Sequence, residues 1–148
     1  MDAVIPLVLT GRVHIVLTDS TGNIKIDKES DNLIVTIGKA FVASALITIP
    51  SIRFLYMAVG TSATATSIAQ TALVGTELAR VATTNTNPTS VTTQFVASFG
   101  AGVGTGTIEE AGLFSAASAG SMFSRYLTGT FAKGSTDTLA VTWTITVN

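Results

Sequence analysis

Cysteine is absent from the chain, which excludes a disulfide framework, thiolate catalysis and cysteine-ligated metal. Histidine occurs once, at position 14. A lone histidine without histidine or cysteine companions reads as an ordinary strand residue rather than a ligand. Charge is scarce as well. Asp, Glu, Lys and Arg make up 11% of the 148 residues and nearly cancel to a net −1, against roughly 25% in an ordinary soluble domain. Binding to a phosphate backbone needs clustered Lys and Arg, so no direct nucleic-acid contact is expected. Long apolar runs are missing too. The cleanest, residues 40–50, is too short to span a bilayer and ends in a proline. Residues 1–10 lack a basic segment, so no signal peptide is expected. The Asp19–Asn23 turn has too few oxygen ligands for a calcium loop.

No catalytic constellation replaces these losses. There is no Gly-x-Ser-x-Gly elbow and no metal-ligand spacing. The glycine run Gly100–Gly106 has Thr105 where a dinucleotide fingerprint needs its third glycine, and no lysine for a phosphate loop. It reads as a flexible connector. The expectation is a protein that is not an enzyme and carries no cofactor and no metal.

What the chain does have is alternation. Leu139, Val141, Trp143, Ile145 and Val147 alternate with Ala140, Thr142, Thr144 and Thr146, the pattern of a strand with one buried face. Trp143 is the expected core anchor, its indole N–H seeking an acceptor. Residues 11–28 read as a β-hairpin turning at Asp19–Asn23, and residues 31–37 as a further strand. Thr36 is placed to cap a short helix over 39–46, with Phe41, Val42, Ala45 and Leu46 on its apolar stripe. Residues 51–60 read as a strand, and Thr61–Gln70 as a long surface loop of the kind that is functional or mobile. Asn85–Pro88 reads as a turn. Strands are expected over 91–99 and 122–132, with Ser115–Ser121 and Lys133–Asp137 turning the chain. The sum is one domain, residues 1–148, of all-β class: an antiparallel β-sandwich, jelly-roll-like, with one short helix. Residues 1–9, interrupted by Pro6, form either an arm that pairs with a neighbouring subunit or a tucked terminus.

The stretch around which the chain is organised is Gly106–Phe114. Here Glu109 and Glu110 sit in an otherwise apolar and small-residue run. Neighbours on a strand point to opposite faces, so the pair does not converge on one bond as acid/base catalysis requires. A buried glutamate needs a partner, and Arg80 or Arg125 can supply it.

Ile108-Glu109-Glu110-Ala111-Gly112-Leu113-Phe114 resembles the I-x-E-x-G-L-F signature of small β-sandwich virion proteins of tailed bacteriophages. Residues 32–39, 57–61 with 71–78, and 139–147 are similar to the same group in the same order. The resemblance implies a structural virion protein, either a capsid decoration (cement) protein on the outer surface of the head or a tail-fibre or collar module. The first is favoured, because no fibrous or repetitive shaft is present. It implies as partners the major capsid protein and further copies of the chain, as a homotrimer, with tail proteins or a host receptor under the alternative. It implies no active site. Low net charge fits a surface covered by partners. Contact is expected from the arm, at Val4, Ile5, Pro6 and Leu7, and from the long loop, at Ser62, Thr64 and Thr66. A carbohydrate-binding module is a further alternative, weakened because only Tyr56 and Tyr126 remain as stacking aromatics.

Overall fold

The computed structural model describes residue 3, residues 6–48 and residues 52–148. Nine strands and one helix follow one another: β1 Leu9–Thr18, β2 Ile24–Ile34, α1 Thr36–Ser44, β3 Tyr56–Gly60, β4 Glu77–Ala82, β5 Thr84–Thr89, β6 Thr92–Phe99, β7 Gly106–Phe114, β8 Met122–Lys133 and β9 Thr138–Val147. All pairings are antiparallel, in the order β4-β3-β7-β8-β2-β1-β9-β6-β5. The all-β class with one short helix is thus as expected. The strands form a single nine-stranded sheet that nearly closes into a barrel, in which two separate sandwich layers are not clearly distinguished.

Two corners make the closure. β2 runs beside β1 from Ile24 to Asn32, then pairs with β8 through Leu33–Arg125 and Ile34–Ser124. At the other corner, β4 and β5 are the two ends of the sheet, yet only Thr83 separates them in the chain. β4 pairs with β3 and β5 with β6. One extended segment therefore passes from one half of the sheet to the other, as corner strands do. Thr83 is fixed at this crossing, its N–H donating to Leu55 O at 2.8 Å.

The interior is built by period-two burial. Val13, Ile15 and Leu17 of β1, Leu139, Val141, Trp143 and Ile145 of β9, and Ala97 and Phe99 of β6 join one cluster with Met57, Val59, Ile108, Ala111 and Leu113. Trp143 is fully buried. With the Asn32 amide turned so that its oxygen faces the indole, Asn32 Oδ1 accepts from Trp143 Nε1 at 2.7 Å and from Arg12 N at 3.2 Å. Gly11 lies opposite Asn32. A Cβ there would stand 2.1 Å from the end of the Asn32 side-chain amide, so the absence of a side chain at position 11 makes room for this amide.

Several boundaries differ from the expected ones. Residues 24–34 form one continuous strand, where a break was expected after residue 28. The helix starts three residues early, at Thr36, with Val35 as its N-cap and no side-chain cap. Thr36 is thus the first helical residue and does not cap. Gly38 lets the helix sit on β8, since a Cβ would meet Phe123 O at 2.3 Å. Phe41 and Val42 pack on the core, Phe41 edge-on to Phe54 at 5.1 Å, while Leu46 lies beyond the helix and is exposed. β3 begins only at Tyr56. The expected turn Asn85–Pro88 is instead strand β5, wholly exposed, with a register break between Thr86 and Thr89. Proline is tolerated there because the strand is an edge.

Candidate functional site

A register break between Ile108 and Glu110 re-phases β7. Ile108, Ala111 and Leu113 pack in the barrel interior. Phe114 belongs to a second cluster with Val35, Ala58 and Met122 on the other side, where Leu73 covers it. Glu110 and Gly112 share that outer side, opposite Gly60 and Ala58. On the β8 side of the break, Gly129 adopts a left-handed φ of +68°, the conformation that a bulge of this kind favours.

Glu110 and Arg125 are both fully buried, although they lie outside the barrel. The cover is the chain between β3 and β4. Arg125 Nε donates to Glu110 Oε2 at 2.8 Å, its Nη1 to Thr64 O at 2.8 Å and Gln70 Oε1 at 3.2 Å, and its Nη2 to Ser62 O at 3.3 Å. Glu110 in turn accepts from Val74 N at 3.0 Å and Gly75 N at 2.7 Å. One ion pair therefore holds both arms of residues 61–76 against the sheet, and a buried charge pair persists only with its remaining donors and acceptors filled in this way. The Thr61–Gln70 segment is a loop, but a fastened one. Glu109 stands at the break, half-buried, accepting from Thr130 Oγ1 at 2.8 Å. The two carboxylates do not converge.

Arg80 makes a second clasp. Its guanidinium stacks on Phe114 at 3.8 Å, Nη1 donates to Ala116 O and Ala119 O at 2.9 and 2.8 Å, and Nε and Nη2 donate to Glu77. The planar fork suits this combination of stacking and bidentate donation. It fastens the 115–121 turn, which Ser115 Oγ also closes by accepting from Ser121 N.

A third fastening was not foreseen. Lys133, fully buried, donates from Nζ to Gly100 O at 2.9 Å and Asp137 O at 2.7 Å. The buried Asp137 carboxylate accepts from Lys25 Nζ and Gly134 N, each at 2.7 Å. Gly102 N donates to Ser135 O at 2.7 Å, so the glycine run is tied to the β8–β9 turn at its start. Burial pushes the Lys133 ammonium below its usual range. The Asp137 carboxyl lies below its own range, first through the hydrogen bond from Lys25 and then through that from Gly134. The only sequence signal was the pair of charges flanking a short turn, which is common on exposed loops.

Of the residues expected to meet a partner, Val4 and Ile5 lie outside the described residues. Pro6 and Leu7 are exposed, Thr64 is exposed, and Ser62 and Thr66 are half-buried. Val8 exchanges both backbone hydrogen bonds with Asn148, which carries the β1–β9 ladder one residue past its strands. Among the described residues no group of three His, Asp or Glu side chains could hold a metal, and no helix is long and apolar enough to cross a membrane. No family model, no curated protein and no solved structure matches the chain.

Proposed function

We propose that the chain is a structural virion protein of a tailed bacteriophage, a decoration (cement) protein that binds the outer surface of the head and stabilises the shell without catalysing a reaction. The observation that carries this reading is the use made of the signature stretch. Glu110 holds the loop before β4, Gly112 makes room for Leu73 and the Phe114 ring, Leu113 fills the core, and Phe114 lies under Arg80. Of the positions in that resemblance, Glu110 and Phe114 serve to fasten loops, Gly112 gives them room, and Ile108 and Leu113 fill the core. None is directed at a substrate. Outside the charged stripe of Arg12, Asp27, Glu29 and Asp31 on β1 and β2, much of the exposed surface is threonine, serine and alanine, which suits contacts that are dry at the centre and polar at the rim.

In this reading the barrel is a flattened, sandwich-like body. Among the described residues, the halves β5-β6-β9-β1-β2 and β8-β7-β3-β4 are joined by strand pairing only at the two pairs at the end of β2. Three copies form a knob at local three-fold positions of the head, each contributing one patch to the shell. Many weak ties to the major capsid protein, summed over the lattice, resist internal pressure. Contacts come from the segment ahead of β1 and from the fastened loop at Ser62, Thr64 and Thr66. A loop held rigid loses little entropy on binding.

Copy number per purified particle, measured by quantitative mass spectrometry against the major capsid protein, tests the reading. A count stoichiometric with the shell is expected. About a dozen copies or fewer, as closed tail symmetries allow, would move the protein to the tail-fibre or collar role. Absence from particles would end both.

A further inference from the structure

Exposed apolar side chains are not spread evenly over the barrel. One end is closed by the connection from β2 to β3, which carries α1 across it, with Gly38 on Phe123 and Phe41 on Phe54. At the same end β1 begins and β9 stops, and Val91 O accepts from Val147 N. Of the eleven large apolar side chains exposed among the described residues, six stand there: Leu7, Val8, Leu46, Ile47, Ile52 and Val91. Leu46 and Ile47 are 82% and 87% exposed. Single exposed apolar residues need no explanation, but a concentration of them does. Lys39, beside Leu7 and Val8, and Arg53, next to Phe54, are exposed at this end as well. Among the described residues neither forms an ion pair. The end is apolar with two unopposed positive charges.

The barrel wall carries the complement. Residues directly opposite in an antiparallel ladder share a face, so three successive rows cross the outside of β6, β9, β1 and β2 and end on Asp31, Glu29 and Asp27. The middle row is Val96-Thr142-His14-Glu29, and on β6 and β9 all three rows are neutral. Arg12 is hydrogen-bonded to Glu29 and lies 3.8 Å from Asp31, and His14 Nε2 meets Asp27 at 2.6 Å. Lys25, further along β2, is turned to Asp137. One guanidinium cannot offset three carboxylates. With His14 neutral, the wall keeps two negative charges beside a neutral, partly apolar field.

We infer that the helix-capped end of one copy docks on this wall of a second copy, its apolar side chains on the neutral field and Lys39 and Arg53 against the β2 carboxylates. Other occupants fit less well. Two such ends meeting face to face would bring like charges together. A lipid surface is met by Trp, Tyr and a larger basic group, whereas the exposed apolar side chains here are all aliphatic. The contact is heterologous. An end and a wall face roughly at right angles, so successive copies turn and close a ring of three or four rather than extend a filament. This supplies the copy-to-copy contact of the knob proposed above, and it rests on that reading only for its place on the head. Ring mass is measured on the purified chain and copy number on particles, so either can fail alone.

Sedimentation velocity of the purified chain at ~100 μM and low ionic strength should give a species of three or four chains, which loosens as salt rises past ~0.5 M. Lys39→Glu with Arg53→Glu should weaken it at least ~10-fold, as should Glu29→Lys with Asp31→Lys on the wall. All four reversals in one chain should restore it, because end and wall are again opposite in sign. Leu46→Ser with Ile47→Ser, at side chains outside the core, should weaken it ~10-fold or more with no change of charge. That pair serves if a reversal variant misfolds, which urea unfolding followed by Trp143 fluorescence detects. A parent chain that stays monomeric overturns the inference. So does an assembly that folded wall variants leave intact, or one that the fourfold reversal fails to restore. A monomeric chain that floats with phosphatidylcholine–phosphatidylglycerol vesicles, and ceases to do so with Lys39→Glu and Arg53→Glu, would overturn it in favour of a lipid surface.

Discussion

Replacing Arg125 with methionine fills the volume of the side-chain stem but leaves Glu110 buried with only Val74 N and Gly75 N as donors. The carbonyls of Ser62 and Thr64 lose their donors in the same step. Breaking a buried pair by removing one partner costs ~3–5 kcal/mol. For a chain of this length each kcal/mol lowers Tm by ~2–4 °C, so the melting temperature should fall by ~6–20 °C. Glu110→Gln should cost a comparable amount, because it leaves the guanidinium charge unpaired in the same enclosure. The double variant Glu110→Gln with Arg125→Met removes both charges, and should be more stable than the sum of the single losses requires by ~1–3 kcal/mol. Urea unfolding followed by Trp143 fluorescence measures all four proteins, and the denaturant slope should stay constant. Amide exchange supplies the local readout: residues 61–76 should lose protection in Arg125→Met well before β1 and β9 do. Single variants within ~1 kcal/mol of the parent, far below the cost of a stranded buried charge, would refute the clasp. Strict additivity in the double variant would refute the coupling.

Three further outcomes are expected. Gly11→Ala should push Asn32 off the Trp143 indole, costing ~1–3 kcal/mol and changing the emission of the sole tryptophan. The Asp137 carboxyl is held below its usual value by Lys25 and Gly134, so its contribution is complete above the unfolded value of about 3.9 and is lost as pH falls through the lower folded value. Asp137→Asn should therefore be less stable at neutral pH and show a flatter decline of urea midpoint with acid; an unchanged acid profile would sink the argument. Arg80→Lys keeps the charge but loses the stack on Phe114 and the forked geometry, and should cost ~1–2 kcal/mol, with exchange quickened at residues 115–121.

β1 and β9 were legible because one face of each is continuously buried, and period-two burial leaves a period-two sequence. The need of Glu109 or Glu110 for a cationic partner was also readable, since charge is rare enough here for each carboxylate to stand out. That Glu110 points away from the core, and still has no contact with water, was not readable. It depends on a register break whose cause lies on β8, and on a loop drawn over the sheet from 35 or more residues upstream. Asn85–Pro88 carried turn composition because its strand lies on an edge, where no neighbour demands apolar side chains. The passage of β2 from β1 to β8 was not readable either, because a change of strand partners leaves no local pattern in sequence.

The ladder between β1 and β9 joins Leu9 to Val147 and runs unbroken through all ten positions to Thr18 and Thr138. A growing chain therefore has β1 in hand long before one of its two neighbours exists. Until β9 emerges, Val13, Ile15 and Leu17 have no Val141 or Trp143 to pack on, and β6 lacks its inner partner as well. Non-local closure of this kind makes folding slow and holds it back until β9 has been made. Until then the nascent chain must carry two unsatisfied sheet edges, at β1 and β6, and its scarcity of charge gives those edges little protection from one another. Expression at reduced temperature, or with a chaperone that shields exposed strands, should raise the soluble fraction more for this barrel than for a helical bundle of equal length.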